Sequence, residues 1–78
     1  GHRVVVRFQQ EAWAEVRDAD NRLLLSQKNP AGAVQVVAGK PPFKMIISNA
    51  AAVQLEYDGR NIDLQPHTRV DVARLTLE

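Results

Sequence analysis

Cysteine is absent from this sequence, and only four residues are aromatic. The lack of cysteine excludes disulfides, thiolate metal sites and thiol nucleophiles. It does not decide the compartment, because a domain with an adequate core can lie outside the cytoplasm without disulfides. No apolar run approaches the roughly 18 residues that a membrane-spanning helix needs. We therefore expect no membrane insertion by these 78 residues.

The two signs of charge are nearly balanced, because the chain has ten Lys and Arg residues and nine Asp and Glu residues. A net charge of +1 argues neither for nor against a charged partner. The length allows one domain with one core, of marginal stability. Gly1-His2 resembles the remnant of an expression tag, and a strand pattern follows it directly. We therefore predict one β domain over residues 3–78, taken from a longer protein.

Apolar and polar residues alternate along most of the chain, and Val4, Val6 and Phe8 form the first apolar set. A period of two predicts half-buried β-strands. We expect seven or eight short strands, at residues 3–8, 12–17, 22–27, 33–38, 43–47, 53–57 and 72–77, with the short segment 61–64 as the eighth. The run Leu23–Leu25 predicts that the third strand is buried on both faces.

Turn residues separate the predicted strands. Asp18–Asn21 is typical of a turn, because Asp and Asn side chains bond their own backbone. Asp58-Gly59 is a strong hairpin signal, and Asn49–Ala52 allows a short helical turn. The pattern predicts an all-β fold, a small antiparallel β-sandwich, immunoglobulin-like or similar, of seven to eight short strands. A small open barrel is the alternative.

No nucleophile in the sequence has a positioned base. Ser26 and Ser48 lie near predicted strand ends, and neither belongs to a Gly-x-Ser-x-Gly turn. With His2 set aside, His67 is the only histidine, and it follows Pro66 in a predicted loop where we expect it to be solvated. The acidic residues are scattered among turns, which does not indicate paired carboxylates over a cleft. We predict no catalytic residues and no enzymatic activity.

Metal and cofactor sites are not indicated either. A zinc site needs three or four ligands, and His67 without cysteines leaves only carboxylates to complete it. Asp18-x-Asp20 resembles the start of a calcium loop, but Arg22 occupies the third ligand position and Leu23 the place of the required glycine. We predict no metal and no cofactor.

Trp13 is the residue that most suggests binding, because strict alternation places it on one strand face with Glu15 and Arg17. An exposed tryptophan flanked by charges is typical of an interaction hot spot. The other interpretation places Trp13 in the core, and it is favoured in a chain with so few aromatic residues. Tyr57 ends a strand beside the predicted hairpin, and a structural role is favoured there. The binding interpretation gives four candidate partner-binding residues, Trp13, Glu15, Arg17 and Tyr57.

An ordered set of short motifs covers nearly the whole chain after Gly1-His2 and consists of Ala12-Trp13, Val16, Asp18-Ala19-Asp20, Leu23-Leu24, Gly32, Gly39, Pro42-Phe43-Lys44, Asn49-Ala50, Ala52–Leu55, Tyr57-x-Gly59, Ile62–Leu64 and Val72–Leu77. In this order and spacing the set resembles a known family, the extracytoplasmic C-terminal domain of RodZ-type bacterial cell-shape proteins. Asn21 and Ser48 depart from the pattern, because each stands where the family commonly has glycine.

The resemblance implies a non-catalytic interaction domain on the periplasmic side of the bacterial inner membrane. Proteins of this family carry a cytoplasmic helix-turn-helix domain, one membrane span and a linker before this domain, and they connect MreB filaments with cell-wall synthesis to maintain rod shape. The resemblance therefore implies partners among periplasmic cell-wall synthesis proteins. Contacts with MreB, or with DNA, would belong to cytoplasmic regions absent from this sequence.

A second functional class stays open, a β-sandwich that binds a small ligand or the glycan strands of peptidoglycan. Sugar recognition usually needs aromatic platforms beside hydrogen-bonding groups, and only Trp13 and Tyr57 are available. Nucleic-acid binding by these residues is not favoured, because the basic residues are spread along the chain without interleaved aromatic residues.

Overall fold

The alternating pattern forms nine β-strands in the computed structural model, which describes residues 1–78. The strands are β1 (His2–Phe8), β2 (Ala12–Arg17), β3 (Leu23–Asn29), β4 (Val34–Gly39), β5 (Phe43–Ile47), β6 (Val53–Tyr57), β7 (Arg60–Ile62), β8 (Thr68–Arg69) and β9 (Val72–Leu77). Two single-turn 3₁₀ helices, Ala50–Ala52 and Gln65–His67, complete the regular structure. Neither is long enough to cross a membrane.

The strands form two antiparallel sheets. One sheet has four strands in the order β4-β1-β6-β7, and the other has five in the order β3-β2-β5-β9-β8. The sheets do not close into a barrel. The predicted β-sandwich is therefore confirmed, and the open barrel is not the fold.

The core lies between the two sheets and follows from the period of two. Every second side chain points inward, so Val4, Val6 and Phe8 of β1 are buried against residues of the five-stranded sheet such as Met45 and Ile47. Seventeen buried apolar residues form one cluster. Burying one such side chain contributes roughly 1.5–3 kcal/mol, so this cluster is the main source of stability.

The predicted turns are confirmed in detail. The Asp18 carboxylate accepts hydrogen bonds from the backbone N–H groups of Asp20 and Arg22, at 2.9 and 2.8 Å. Asp58 and Gly59 have φ values of 49° and 84°, as expected for the two central residues of a type I′ hairpin. The short helical turn forms at Ala50–Ala52.

The expectation that Leu23–Leu25 is buried on both faces is wrong. Strand β3 lies at the edge of its sheet, and the side chain of Leu23 is 49% exposed, whereas Leu25 is buried. The register also shifts here, because Val16 pairs with Leu25 and Arg17 with Leu23. Leu24 is the extra residue of this bulge, a common device at sheet edges.

The exclusion of His2 from the fold is also corrected. Strand β1 begins at His2, which pairs with Gly39, and the His2 Nδ1 atom lies 2.6 Å from a carboxylate oxygen of Asp58. Whether Gly1-His2 is a tag remnant stays a prediction. The structure adds one strand to the predicted set, the two-residue β8, which pairs with β9.

Candidate functional site

Trp13 lies on the outer face of the five-stranded sheet and is 41% exposed. The inward positions of β2 are occupied by Ala12, Ala14 and Val16, all of which are buried. Because side chains alternate across a strand, Trp13 must point away from the core. The interpretation of Trp13 as a core residue is therefore wrong.

The register of the sheet decides which residues accompany Trp13 on this face. Glu15 lies opposite Ile46, and Ile46 lies opposite Arg74. Two residues further along β2, and therefore on the same face of the sheet, Arg17 lies opposite Lys44. Residues that pair directly across antiparallel strands share a face, so these side chains all point outward.

We call this surface the cationic face. It consists of the outward side chains of the five-stranded sheet, namely Trp13, Glu15, Arg17, Leu23, Ser26, Lys28, Lys44, Ile46, Arg69, Val72, Arg74 and Thr76. Five of them are basic and one is acidic, which gives the face a net charge of +4. The rest of the chain holds five basic and eight acidic residues, a net charge of −3. The nearly neutral chain therefore has a strongly polarised charge distribution.

The centre of the cationic face is a shallow depression of about 380 Å³. Its walls carry charged side chains, Glu15, Arg17, Lys44 and Arg74, around the half-buried Ile46. The Arg17 Nε atom lies 3.6 Å from a carboxylate oxygen of Glu15, and both side chains are partly exposed. Exposed ion pairs contribute little to stability, so these charges stay available to a partner.

Trp13 is held in place through its backbone. Its N–H donates to the Ser48 hydroxyl at 2.8 Å, and its carbonyl accepts from the Ser48 N–H at 2.9 Å. These bonds prolong the pairing of β2 with β5 by one residue. Ser48 therefore has a structural role, and the tryptophan ring is presented by a fixed backbone, which lowers the entropy cost of binding through it.

Tyr57 does not join the other three candidate residues. It pairs with Val4, and its ring packs edge-to-face on Phe43 with centroids 5.8 Å apart. Its hydroxyl donates to the backbone carbonyl of Glu78 at 3.1 Å. Desolvation, with smaller effects from the carboxylates of Asp58 and Glu78, raises the pKa of Tyr57. These contacts connect the two sheets near the chain ends, which is a structural role.

Sequence reasoning missed most of the cationic face. Most of its basic residues are far apart in the chain, namely Lys28, Lys44, Arg69 and Arg74. Only the strand order of the sheet places them on one surface. The one available signal was that Lys44 and Arg74 occupy polar positions within alternating strands. That signal predicts exposure, but it does not predict which strands are neighbours.

The other candidate positions form no reactive cluster. Ser26 lies on an edge strand, and His67 is exposed in the second 3₁₀ helix. No group of three or more His, Asp or Glu side chains is close enough to hold a metal ion. A cavity of about 480 Å³ lies at the end of the sandwich formed by β6, β7 and the 3₁₀ helices. It has apolar walls, such as Leu55 and Ile62, and polar groups including Asn61, but no aromatic residue.

A comparison with family models finds a match that covers almost all of this chain. The family model described as the RodZ C-terminal domain matches residues 5–76. The chain belongs to the RodZ C-terminal domain family. It is thus a domain of a RodZ-like cell-shape protein, from a structural family rather than a family of enzymes. The matched residues include every residue of the cationic face. No solved structure matches the chain.

Proposed function

We propose that this RodZ C-terminal domain is a non-catalytic docking module on the periplasmic side of the bacterial inner membrane. A membrane span outside these 78 residues anchors it, and cytoplasmic regions outside them contact the MreB cytoskeleton. The domain itself binds periplasmic cell-wall synthesis proteins. Through this contact the whole protein couples the cytoskeleton to wall synthesis and maintains rod shape.

The observation that supports docking is the exposed Trp13 beside the basic side chains of the cationic face. Tryptophan and arginine are the residues most enriched at interaction hot spots. Half-buried Ile46 supplies an apolar centre, and the surrounding cations supply directional donors. A net charge of +4 on this face attracts an acidic protein surface and speeds its association. The partner in this proposal is therefore a protein with an acidic patch.

The test uses purified domain and the purified periplasmic domains of cell-wall synthesis proteins, measured by biolayer interferometry. We expect saturable binding by at least one of them, weakened more than tenfold by Trp13→Ala and by Arg74→Glu. Both side chains are exposed, so both variants should still fold, which a cooperative thermal unfolding transition would verify. Arg60→Glu is the matched control, because Arg60 is an exposed base on β7 of the other sheet. Equal loss with Arg60→Glu, or no loss with Arg74→Glu, contradicts docking at this face.

A second candidate function rests on the 480 Å³ cavity, whose size is within the range of small-ligand sites. Its apolar walls and the polar groups Gln54, Asn61 and Asp63 would suit a sugar or a peptide fragment of peptidoglycan. It ranks second because it contains no aromatic platform. Isothermal titration with purified glycan fragments decides between the two: saturable heat at millimolar or lower concentration, abolished by Asn61→Ala, favours the cavity.

A further inference from the structure

The sandwich has four edge strands, and three of them carry protection against pairing with another chain. Strands β7 and β8 are only three and two residues long, and each contains an arginine, Arg60 and Arg69. Strand β3 carries Lys28 and the bulge at Leu24. Short length, charge and bulges are the usual ways in which proteins prevent edge-to-edge association.

Strand β4 has none of these protections. It is six residues long, contains no charged residue and pairs only with β1. Val34 and Val36 are 54% and 56% exposed. The register places Val36 beside Val5 on the outer face, and Ala38 continues the same row of outward positions. We call Val5, Val34, Val36 and Ala38 the β4 strip.

The inward side of β4 is held firmly. Val37 packs against the core, and the Gln35 amide donates to the Asn29 side chain at 3.0 Å. Asn29 is fully buried at the end of β3, so this bond ties the edges of the two sheets together. The free edge of β4 is therefore already in strand geometry, and pairing with it requires little further ordering.

The structure assigns β4 as a self-association edge: we propose that it pairs antiparallel with β4 of a second copy of this chain. Placing Val36 opposite its own copy puts Val34 opposite Ala38, and every apolar residue of the strip stays on the outer face. No charges meet across this register, because β4 has none. Two four-stranded sheets become one eight-stranded sheet, and the two β4 strips form one apolar surface.

A second copy suits this edge better than pairing between β4 and a different edge of the same fold. A two-fold β4–β4 contact is closed, because each copy uses up its only unprotected edge. Pairing of β4 with β3 would leave a free β4 at one end and would continue into open chains. It would also place Lys28 beside an uncharged strand.

Sedimentation equilibrium of the 78-residue domain tests the proposal across protein concentrations from micromolar to millimolar. We expect a monomer–dimer equilibrium, and a dissociation constant at least tenfold higher for Val36→Lys and for Val36→Glu measured separately. An equimolar mixture of these two variants should recover the dimer, since Val36 lies opposite its own copy and the pair becomes Lys against Glu. Both substitutions are at a half-exposed position, so both variants should fold.

Ser26→Lys is the matched control, because Ser26 is an exposed outward residue on the competing edge strand β3. It should leave the dimer unchanged. A domain that stays monomeric at millimolar concentration overturns the proposal. So does a dimer that tolerates Val36→Lys, or a mixture of the two Val36 variants that fails to recover association. These outcomes do not depend on the cationic face, which lies on the other sheet.

Discussion

At the scale of single residues, backbone strain is concentrated in the hairpin that joins β8 and β9. Val70 and Asp71 have φ values of 45° and 77°, and the side chain of Val70 is 97% exposed. A β-branched residue with positive φ is a genuine outlier, since its Cβ substituents crowd the backbone there. Such strain costs about 1–3 kcal/mol, and no core contact of Val70 compensates it.

We therefore expect Val70→Asn to stabilise the domain, because Asn tolerates positive φ and Val70 has no packing to lose. The free energy of unfolding, measured in urea, should rise by about 1 kcal/mol. Val34→Asn serves as the control, since Val34 is also exposed but lies in a strand, where Asn is disfavoured. A Val70→Asn variant no more stable than the original chain contradicts strain at this turn.

The carboxylate of Asp58 makes stability depend on acid pH. A hydrogen bond from the backbone N–H of Arg3 at 2.8 Å, and then one from the His2 side chain, lower the pKa of Asp58 below its ordinary value of 3.8. A lowered folded-state pKa gives stability that is present above pH 3.8 and is lost as the pH falls through the folded-state value. Asp58 is exposed, so the effect is modest.

We expect Asp58→Asn to flatten this part of the acid unfolding profile, while keeping a residue that tolerates the φ value of the hairpin. The melting temperatures of the two proteins should differ most at neutral pH and converge as the pH falls below about 3.8. Asp63→Asn is the comparison for an exposed carboxylate outside this contact. A constant difference between Asp58→Asn and the original chain at every pH would rule out this carboxylate as the cause.

At the scale of strands, the two sheets are joined along one side by a polar contact rather than by packing. The Asn29 side-chain amide donates to the backbone carbonyls of Gln27 and Ala12, at 2.9 and 3.2 Å. Its oxygen accepts from the side-chain amides of Gln35 and Gln27, at 3.0 and 3.2 Å. All of its hydrogen-bonding capacity is used inside a fully buried position. Removing this amide would leave several polar groups without partners.

Asn29→Ala should therefore lower the free energy of unfolding by about 2–3 kcal/mol, the cost of unsatisfied buried polar groups. Chemical denaturation measures it, and Ser26→Ala, at an exposed position of the same strand with no hydrogen bond to Asn29, should cost less than half as much. If both variants lose similar stability, Asn29 does not join the sheets in this way.

The strands themselves could be predicted because burial on one face imposes a period of two on the sequence. The prediction for Leu23–Leu25 was wrong, because burial of both strand faces requires packing on both faces of the sheet. The sandwich has only two layers, and the outer face of β3 is exposed. Trp13 was misplaced because composition favoured the core although alternation already placed it with Glu15 and Arg17. The cationic face could not be predicted, because the pairing of β5 with β9 depends on long-range packing that local sequence does not encode.

At the scale of the whole molecule, charge is separated between the cationic face, with +4, and the remaining surface, with −3. Salt screens exposed charges, and the Debye length falls from about 30 Å at 0.01 M to about 8 Å at 0.15 M. We therefore expect the association rate with the acidic partner to fall at least tenfold over that range, whereas β4–β4 association should change little. Stopped-flow mixing measures the first and sedimentation the second. An association rate independent of salt would contradict recognition by charge.

Docking of a partner on the outer face of the five-stranded sheet can be followed directly, because the only tryptophan of the chain, Trp13, lies on that face. Its fluorescence therefore reports on this surface alone when every tryptophan of the partner has been replaced by phenylalanine. Titration with a periplasmic cell-wall synthesis domain should shift the Trp13 emission to shorter wavelength and protect it from acrylamide, and Arg74→Glu should abolish both effects. Saturable binding that leaves the emission and the quenching of Trp13 unchanged would contradict the account.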